Sequence, residues 1–229
     1  MKILNLYAGI GGNRKLWGDE HDITSVEYNE DIAEVYSEYF PNDKVIVADA
    51  HQYLLDHYEE FDFIWSSPPC TTHTRINKNF GFKRYADMKL YQEVIFLDNW
   101  FNGKYCVENV IPYYGVLIPA QQYQRHLFWC NFKIRTTGKE NPPKHMNMIS
   151  GNSRKLGKSL KTFIKEDNET YLAKKLGYDN WGKRNIYIDG NHSPGQVLRN
   201  CVDPEIGKMI LDCALGIINK SKTKQTELF

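Results

Sequence analysis

The sequence predicts an α/β fold in which helices flank a doubly wound parallel sheet. Three observations predict it. Short apolar runs alternate with helical segments over residues 1–132, a glycine-rich turn at residues 8–13 follows the first run, and chemically suggestive side chains follow the later runs. A chain of 229 residues is long enough to bury the core that such a sheet needs.

The predicted strands are apolar runs bounded by polar or turn residues. The first run, Lys2–Leu6, ends at the glycine-rich turn, and the second ends in Glu27. The third ends at Asp49, and the fourth ends in a Ser-Ser-Pro-Pro-Cys segment. In order, the predicted strands span residues 2–6, 23–27, 45–48, 61–65, 104–107 and 127–132.

The helices are predicted from capping residues and from periodicity. Asn29 can cap a helix over residues 29–39, with Glu30 and Asp31 well placed for its positive start. Residues 85–100 and 204–218 carry apolar side chains at the spacing of amphipathic helices.

The chain divides by composition into two regions. Residues 133–194 lack the strand–helix alternation, so we interpret them as a small inserted subdomain. Residues 133–190 carry a net charge of +7, while the rest of the chain carries −6. This basic segment is either a solvated lysine-rich surface or a patch that faces a phosphate backbone. We expect the main domain to comprise residues 1–132 and 195–218, followed by a flexible tail over 219–229.

Cysteine usage and hydropathy narrow the class of protein. The five cysteines show no CxxC or Cys/His ligand spacing, which argues against a zinc site and a disulfide framework, so no metal is expected. No apolar stretch approaches the length of a membrane span, and residues 1–7 do not resemble a signal peptide. A cytoplasmic protein with no membrane partner is the expectation.

The glycine-rich turn and two acidic residues indicate a nucleoside site. Glycines let the backbone approach a ligand closely, and Glu27 at the next strand end can accept hydrogen bonds from both ribose hydroxyls. Tyr28 can stack on adenine, and Asp49 can accept an adenine amino proton. The turn lacks the G-x-G-x-x-G and phosphate-loop patterns. S-adenosylmethionine therefore fits these residues better than NAD does, although a tight turn without a ligand would also explain the glycines.

A cysteine and a glutamate follow two further strands. Pro68 and Pro69 stiffen the chain and fix the place of Cys70, whose thiolate can attack an electron-poor ring. The alternative is a buried structural cysteine in a proline turn. Glu108 follows the strand 104–107 and can bind the polar edge of a base, best as a neutral acid. The alternative for Glu108 is a salt-bridged surface residue.

Taken in order, these segments resemble the motifs of the C5-cytosine DNA methyltransferases. Residues 5–12 (NLYAGIGG) are similar to motif I, Pro69-Cys70 to motif IV, residues 108–110 (ENV) to motif VI and residues 199–202 (RNCV) to motif X. Residues 122–128 resemble motif VIII. The resemblance covers residues 1–132 and 195–218, and it assigns 133–194 to the target-recognition region. It implies a Rossmann-like S-adenosylmethionine-dependent methyltransferase fold with a small inserted target-recognition region.

The resemblance implies a role for each matching residue. Cys70 would add to C6 of cytosine, and Glu108 would hold N3 and supply a proton to it. C5 would then take the methyl group, and the cysteine would leave after C5 loses its proton. Because C5 is hidden in a stacked duplex, the base would be flipped out. The cofactor residues implied are Tyr7, Ala8, Gly9, Ile10, Gly12, Glu27, Tyr28, Asp49, Ala50, Pro68, Asn200 and Val202.

The chain departs from the family pattern at two points. Thr71 stands where a glutamine usually follows the cysteine. Motif VIII usually has two alternating arginines, whereas this chain has Gln124 and His126 at those positions and a single Arg125 between them. We therefore assign Arg125 and His126 to the catalytic set, with the contact to cytosine O2 open among Gln124, Arg125 and His126. DNA contacts are expected from Thr71, Thr72, Arg75, Lys155, Lys158 and Lys161.

The hypothesis from the sequence is thus a DNA (cytosine-5-)-methyltransferase that acts as a monomer on double-stranded DNA. Two alternatives stay open. The same fold and cofactor could serve cytosine in RNA or an exocyclic amino group. The altered motif VIII would also suit a catalytically impaired module that binds the cofactor or DNA.

Overall fold

A computed structural model of the chain describes residues 1–75, 85–135, 171–178, 181 and 194–217. These residues form a seven-stranded sheet with the order β3-β2-β1-β4-β5-β7-β6. The strands are β1 (Lys2–Leu6), β2 (Asp22–Glu27), β3 (Lys44–Val47), β4 (Phe63–Ser66), β5 (Lys104–Val110), β6 (Gln121–Tyr123) and β7 (His126–Cys130).

The sheet is parallel over its first five strands, as predicted, and antiparallel at one edge. Strand β7 pairs antiparallel with both β5 and β6. The prediction of a parallel strand at residues 127–132 was therefore wrong in direction. The reason is the short connection from β6, because two residues can close a hairpin, whereas a parallel pairing needs a crossover of a dozen residues or more.

The main helices are α1 (Glu30–Tyr39), α2 (Ala50–His57), α3 (Lys89–Trp100), α4 (Pro194–Asn200) and α5 (Pro204–Ala214). Asn29 caps α1 as predicted, since its side chain accepts a hydrogen bond from Ile32 N at 3.0 Å. Helix α3 begins at Lys89 rather than at residue 85, and α5 ends at Ala214 rather than at residue 218. Among the described residues, no helix has the length and apolar character needed to cross a membrane.

Two apolar layers cover the two faces of the sheet. On one face, α2 and α3 bury their side chains against alternate residues of the central strands, such as Leu4, Ile64 and Val107. On the other face, α5 packs Ile206 and Ile210 against the intervening residues of the same strands. Burial on both faces explains why the central strands are nearly continuous apolar runs.

The described residues near the end of the predicted recognition region pack against the main domain. Leu172, Leu176 and Trp181 share a buried cluster with residues of α1 and α4. Tyr178 is fully buried, and its hydroxyl donates to the carbonyl of Ile10 at 2.6 Å. This segment therefore contributes to the core beside the glycine-rich turn, although its sequence lacks the strand–helix alternation.

Candidate functional site

The candidate site lies at the carboxyl ends of β1 and β4, which are neighbours in the sheet. The order of the parallel strands reverses here, because β1 leads to β2 on one side and β4 leads to β5 on the other. Such a switch point leaves a crevice in which open α/β sheets bind ligands. The glycine-rich turn follows β1, and Pro68, Pro69 and Cys70 follow β4.

The glycine-rich turn bends through three residues with left-handed backbone geometry, namely Tyr7, Gly9 and Gly11, with φ of 54°, 54° and 81°. A Cβ on Gly11 would clash with the ring of Phe40, so that glycine is needed for packing. A Cβ on Gly9 would meet no described atom within 4 Å. The backbone at Gly9 therefore borders open space, where a ligand can approach it closely.

Glu27 is anchored beside this turn at the end of β2. Its carboxylate accepts hydrogen bonds from the backbone N–H groups of Gly9 at 2.9 Å and Asn29 at 3.0 Å. Burial raises the pKa of Glu27, and these backbone donors oppose that rise. The backbone N–H of Tyr28 also bonds this carboxyl, and a carboxylate has about four acceptor sites, so Glu27 keeps acceptor capacity for an outside donor. The adjacent Tyr28 ring is 74% exposed and so has a face open to stacking.

Asp49 caps helix α2 rather than ending a strand. Its Oδ1 accepts a hydrogen bond from Gln52 N at 3.0 Å, and its Oδ2 lies 3.6 Å from Lys89 Nζ. The Gln52 N–H is the main cause of the lowered pKa of Asp49. The side chain therefore stays a carboxylate and can only accept hydrogen bonds. Ala50, the first residue of α2, is buried next to it.

The C-terminal segment returns to the same turn. A Cβ on Gly12 would lie 2.5 Å from the carbonyl oxygen of Val202 and 2.9 Å from Cβ of Cys201. Asn200 ends α4 immediately before this contact. The chain thus brings Asn200 and Val202 to the turn that carries Gly9 and Gly12, although nearly two hundred residues separate them.

These groups fit a nucleoside cofactor. Glu27 offers two carboxylate oxygens at one strand end, Asp49 offers an acceptor at the next, and Tyr28 offers an exposed ring. The open space beyond Gly9 gives a ligand access to the backbone. No phosphate-binding glycine loop with lysine is present in the sequence. The set matches the ribose and adenine of S-adenosylmethionine, whose charge is carried by a sulfonium and not by a phosphate.

Cys70 begins a short 3-10 turn, Cys70–Thr72, directly after the two prolines. Asn109 in β5 fixes this loop by donating from Nδ2 to the carbonyl of Pro68 at 2.8 Å. Burial is the largest cause of the raised pKa of the Cys70 thiol, and the charge of Glu108 raises it further. The charge of Arg125 acts in the opposite direction.

Glu108 lies within β5 and not after it, which corrects the predicted strand end at residue 107. The reason is the antiparallel partner, because β7 continues the ladder and sets Glu108 opposite Phe128. The side chain is buried and hydrogen-bonded to the Ser67 hydroxyl. Burial raises the pKa of Glu108 to about 7, against smaller effects of Ser67 and Arg125. Near neutral pH this carboxyl can therefore hold a proton.

The β6–β7 hairpin carries Arg125 and His126 to the same place. Gln124 has a positive φ of 51° in the turn, and Arg125 beside it is exposed. His126 begins β7, and its Nε2 lies 3.8 Å from Glu108 Oε1. Burial lowers the pKa of His126 to about 4, with a further contribution from Arg125. The charge of Arg125 thus lowers the pKa values of Cys70, Glu108 and His126.

The expected DNA contacts are only partly within the described residues. Thr71 and Thr72 lie in the turn after Cys70, where Thr72 Oγ1 accepts a hydrogen bond from Asp87 N at 3.0 Å. Arg75 is exposed at the end of the described segment that carries this turn. Lys155, Lys158 and Lys161 lie outside the described residues.

The structure adds residues that the sequence did not single out. Ser67 accepts a hydrogen bond from Trp65 Nε1 at 2.7 Å and bonds Glu108, so it orients that carboxyl. His73 is buried beneath the cysteine turn, with Nδ1 2.6 Å from the Tyr114 hydroxyl. Glu93 is fully buried on α3. Only Glu93 leaves a signal in the sequence, as one acidic residue within the apolar stripe of a helix.

The cysteines are all free thiols. Cys106 and Cys130 lie on adjacent strands with their sulfurs 3.0 Å apart, on the face of the sheet that α5 covers. Within the part of the chain that the structure describes, no three His, Cys, Asp or Glu side chains come together as metal ligands would.

Comparison with known protein families gives a match over the first part of the chain. The family described as C-5 cytosine-specific DNA methylase matches residues 1–110. The matched residues include the glycine-rich turn, Cys70 and Glu108, so the match confirms the resemblance over residues 1–110. The segments that resemble motifs VIII and X lie outside the match. A comparison with curated proteins found no match.

One solved structure supports the fold, and a second resembles part of the chain. The Entamoeba histolytica methyltransferase EhMeth has a TM-score of 0.51 and 12% sequence identity, over 95% of this chain and 98% of that one. Spodoptera frugiperda DNMT2, solved as a triple mutant, has 28% identity over 48% of this chain and 35% of that chain, with a TM-score of 0.35. The first comparison confirms a Rossmann-like methyltransferase fold.

Proposed function

We propose that this chain, whose residues 1–110 belong to the C-5 cytosine-specific DNA methylase family, methylates C5 of cytosine in DNA through a covalent bond from Cys70. The family and the fold indicate S-adenosylmethionine-dependent methylation of cytosine. The covalent mechanism and the DNA substrate are our inference. One observation carries it: a fixed cysteine lies beside a nucleoside-shaped site and close enough to the buried Glu108, whose pKa is about 7, for the charge of that carboxyl to raise the pKa of the thiol.

The cofactor contacts follow from the fit of the described groups. Glu27 would accept the ribose hydroxyls, Asp49 the adenine amino group, and Tyr28 would stack on the ring. Ala8, Gly9, Ile10 and Gly12 would border the cofactor through their backbone, with Pro68, Asn200 and Val202 completing its pocket. When bound, S-adenosylmethionine supplies an electrophilic methyl group on a sulfonium.

The first chemical step is the addition of Cys70 Sγ to C6 of the base. Cytosine becomes a better electrophile when N3 is protonated, and Glu108 can donate that proton because its pKa is near neutral. As an ionised group, Glu108 raises the pKa of Cys70. Burial keeps Glu108 protonated near neutral pH, and this both prepares the donor and removes that obstacle to forming the thiolate.

The later steps use this adduct and then break its Sγ–C6 bond. Addition at C6 moves the ring electrons towards C5, which then becomes a nucleophile for the methyl group. Methyl transfer would release S-adenosylhomocysteine. A water molecule acting as base would take the C5 proton, the electrons of that C–H bond would re-form the C5–C6 double bond and expel Cys70 Sγ as a thiolate, and N3 would return its proton to Glu108. Arg125 and His126 stand beside Glu108, and we assign them to holding the base, with Arg125 as the charged donor and neutral His126 as a polar partner.

A DNA duplex containing 5-fluorocytosine tests this proposal. Fluorine replaces the proton that must leave C5, so the enzyme should be trapped on DNA in the presence of S-adenosylmethionine. We expect the trapped species with the native protein and none with Cys70→Ser. Cys213→Ser, which changes a free cysteine on α5 beside Arg135, serves as the matched control and should still be trapped.

The same experiment decides between substrates. An RNA strand of the same sequence with 5-fluorocytosine should give no trapped species if DNA is the substrate. Trapping on RNA alone would assign the activity to RNA. Methyl transfer that persists in Cys70→Ala would overturn the covalent mechanism, and the absence of transfer to either nucleic acid would favour a binding module.

A further inference from the structure

We propose that Glu93 is a positioning residue that couples the cofactor turn to the cysteine turn. Its two carboxylate oxygens bond different parts of the site: Oε1 accepts from the Tyr7 hydroxyl at 2.6 Å, and Oε2 accepts from the Ser66 hydroxyl at 2.6 Å. Tyr7 precedes the glycines, and Ser66 ends the strand that leads to Cys70. The part concerning Cys70 rests on the function proposed above.

The position of Glu93 is unusual for an acidic residue. It has no solvent exposure and lies on the face of α3 that carries Leu90, Val94 and Leu97 into the core. Burying a carboxyl among apolar side chains is costly unless donors satisfy it. Here three donors converge, because His51 Nδ1 also lies 2.9 Å from Oε1. An apolar side chain would pack at this position without requiring these partners, so packing alone does not explain the carboxyl.

The two hydrogen bonds of Glu93 reach residues whose backbone positions are constrained. Tyr7 has a left-handed backbone with φ of 54°, which a tyrosine rarely adopts, and its hydroxyl is held by Glu93. Ser66 is fully buried in β4 and is four residues from Cys70. His51 extends the network to α2, next to Asp49 and Ala50. A change at Tyr7, Ser66 or His51 can therefore shift the other two residues, because all three bond the same buried carboxyl group.

Glutamine at position 93 is the informative change. It has nearly the same shape as glutamate but is neutral, with one acceptor oxygen and one amide donor. The hydroxyl that faces the amide nitrogen must reverse its role and accept, and both hydroxyls lose a charge-assisted bond to a carboxylate, so the Tyr7 and Ser66 bonds are weakened. Tyr7→Phe and Ser66→Ala each remove one hydroxyl and leave the carboxyl in place, so they test the two bonds separately.

Two measurements read the two ends of the network. Calorimetric titration with S-adenosylhomocysteine gives Kd without nucleic acid. The rate of trapping on 5-fluorocytosine DNA at saturating S-adenosylmethionine reports the cysteine turn. We expect Tyr7→Phe to raise Kd, Ser66→Ala to slow trapping and Glu93→Gln to do both, each by about three- to tenfold, the effect of losing one hydrogen bond. Adding Tyr7→Phe to Glu93→Gln should change Kd by less than twofold.

A matched control and a stability measurement separate positioning from folding. Gln92→Ala alters an exposed neighbour on the same helix and should leave Kd and the trapping rate unchanged. If Glu93→Gln lowers the thermal midpoint but leaves Kd and the trapping rate at native values, the residue is only structural and the proposal is wrong. If Glu93→Gln changes only Kd or only the trapping rate, the proposed coupling is also wrong.

The single-hydroxyl variants keep the test decisive if Glu93→Gln does not fold. Native Kd with Tyr7→Phe and native trapping with Ser66→Ala would together overturn the proposal. Failure of the proposed function gives a different result, since the native protein would then bind S-adenosylhomocysteine without being trapped on DNA. The effect of Tyr7 and Glu93 on Kd would still be measurable in that case.

Discussion

Glu108 and His126 face each other across the β5–β7 pair, with Oε1 of the glutamate 3.8 Å from Nε2 of the histidine. An ion pair could form at this distance, but burial disfavours the charged form of each group. The pKa of Glu108 rises to about 7, and the pKa of His126 falls to about 4. Between these values both groups are neutral, so they form a polar wall for a base and not a salt bridge.

The raised pKa of Glu108 predicts how stability depends on pH. The carboxyl ionises near 4.5 when unfolded and near 7 when folded, so between these values the folded chain retains a proton that the unfolded chain releases. The stability contributed by this group is therefore full below pH 4.5 and is lost as pH rises to 7. Glu108→Gln removes the ionisable carboxyl, so this loss of stability with rising pH should disappear. Relative to the native protein, the variant should gain up to about 3 kcal/mol in free energy of unfolding between pH 4.5 and 8.5.

Denaturant unfolding at several pH values measures this gain. Glu34→Gln, which alters an exposed glutamate on α1, is the control and should follow the native pH dependence. Parallel curves for the native protein and Glu108→Gln across this range would contradict the raised pKa.

The electrostatics around Cys70 predict opposite effects from two substitutions. Glu108→Gln removes a negative charge that raises the pKa of the thiol, so it should lower that pKa. Arg125→Gln removes a positive charge that lowers the pKa of the thiol, so it should raise that pKa. The pH dependence of alkylation by iodoacetamide, followed on the Cys70 peptide by mass spectrometry, measures both. The thiolate reacts, so alkylation at pH 8 should be faster in the first variant and slower in the second.

A control distinguishes charge from altered access to the thiol. Gln122→Ala changes an exposed residue on β6 in the same hairpin and should leave the Cys70 titration unchanged. Shifts in the same direction for Glu108→Gln and Arg125→Gln would mean that loop opening, and not charge, controls the reactivity of Cys70.

The sequence predicted most of the parallel sheet because its signals are local. Lys2–Leu6 is an apolar run with a glycine-rich stop, and Asn29 is a capping residue followed by two acids. The predicted strand ends also place Glu27 and Cys70 at the same edge of the sheet, since parallel strands share a direction. These features depend on residues within a few positions of each other, so a pattern in the chain is enough to reveal them.

Other features depend on contacts between distant segments, which no local pattern encodes. Glu108 continues its strand only because β7 pairs with it, and β7 runs antiparallel because of a two-residue turn. Asp49 resembles a strand-end acid but caps a helix. Tyr178 belongs to a lysine-rich stretch, and its burial beside Ile10 depends on a hydrogen bond across 168 positions.

The two glycines of the turn predict different consequences of adding a methyl group. Gly9→Ala forces a left-handed alanine, at a cost of about 1–2 kcal/mol, and places the methyl in open space. Gly11→Ala adds a clash with the Phe40 ring to the same backbone cost. Gly9→Ala should therefore weaken S-adenosylhomocysteine binding by about tenfold or more with a modest loss of stability, because the methyl occupies ligand space. Gly11→Ala should mainly lower the thermal midpoint.

Calorimetric binding and thermal unfolding of both variants check this contrast. Gly216→Ala, at a glycine with a φ of 69° where an added Cβ would meet no atom of the described residues within 4 Å, controls for the backbone cost alone. Native affinity in Gly9→Ala would show that the space beyond this glycine does not hold the cofactor.

Tyr178 joins the last part of the basic segment to the cofactor turn through one buried hydrogen bond. Its hydroxyl donates to Ile10 O at 2.6 Å, and Lys15 Nζ lies 4.3 Å from its ring centroid. Tyr178→Phe keeps the ring and its packing but leaves the carbonyl of Ile10 without this donor, which should cost about 1–2 kcal/mol of unfolding free energy. Because Ile10 lies in the turn beside Gly9, the affinity for S-adenosylhomocysteine should fall as well. Tyr171→Phe removes a hydroxyl from an exposed ring of the same segment and should change neither quantity. Equal losses in the two variants would show that the segment matters through its surface and not through its bond to the turn.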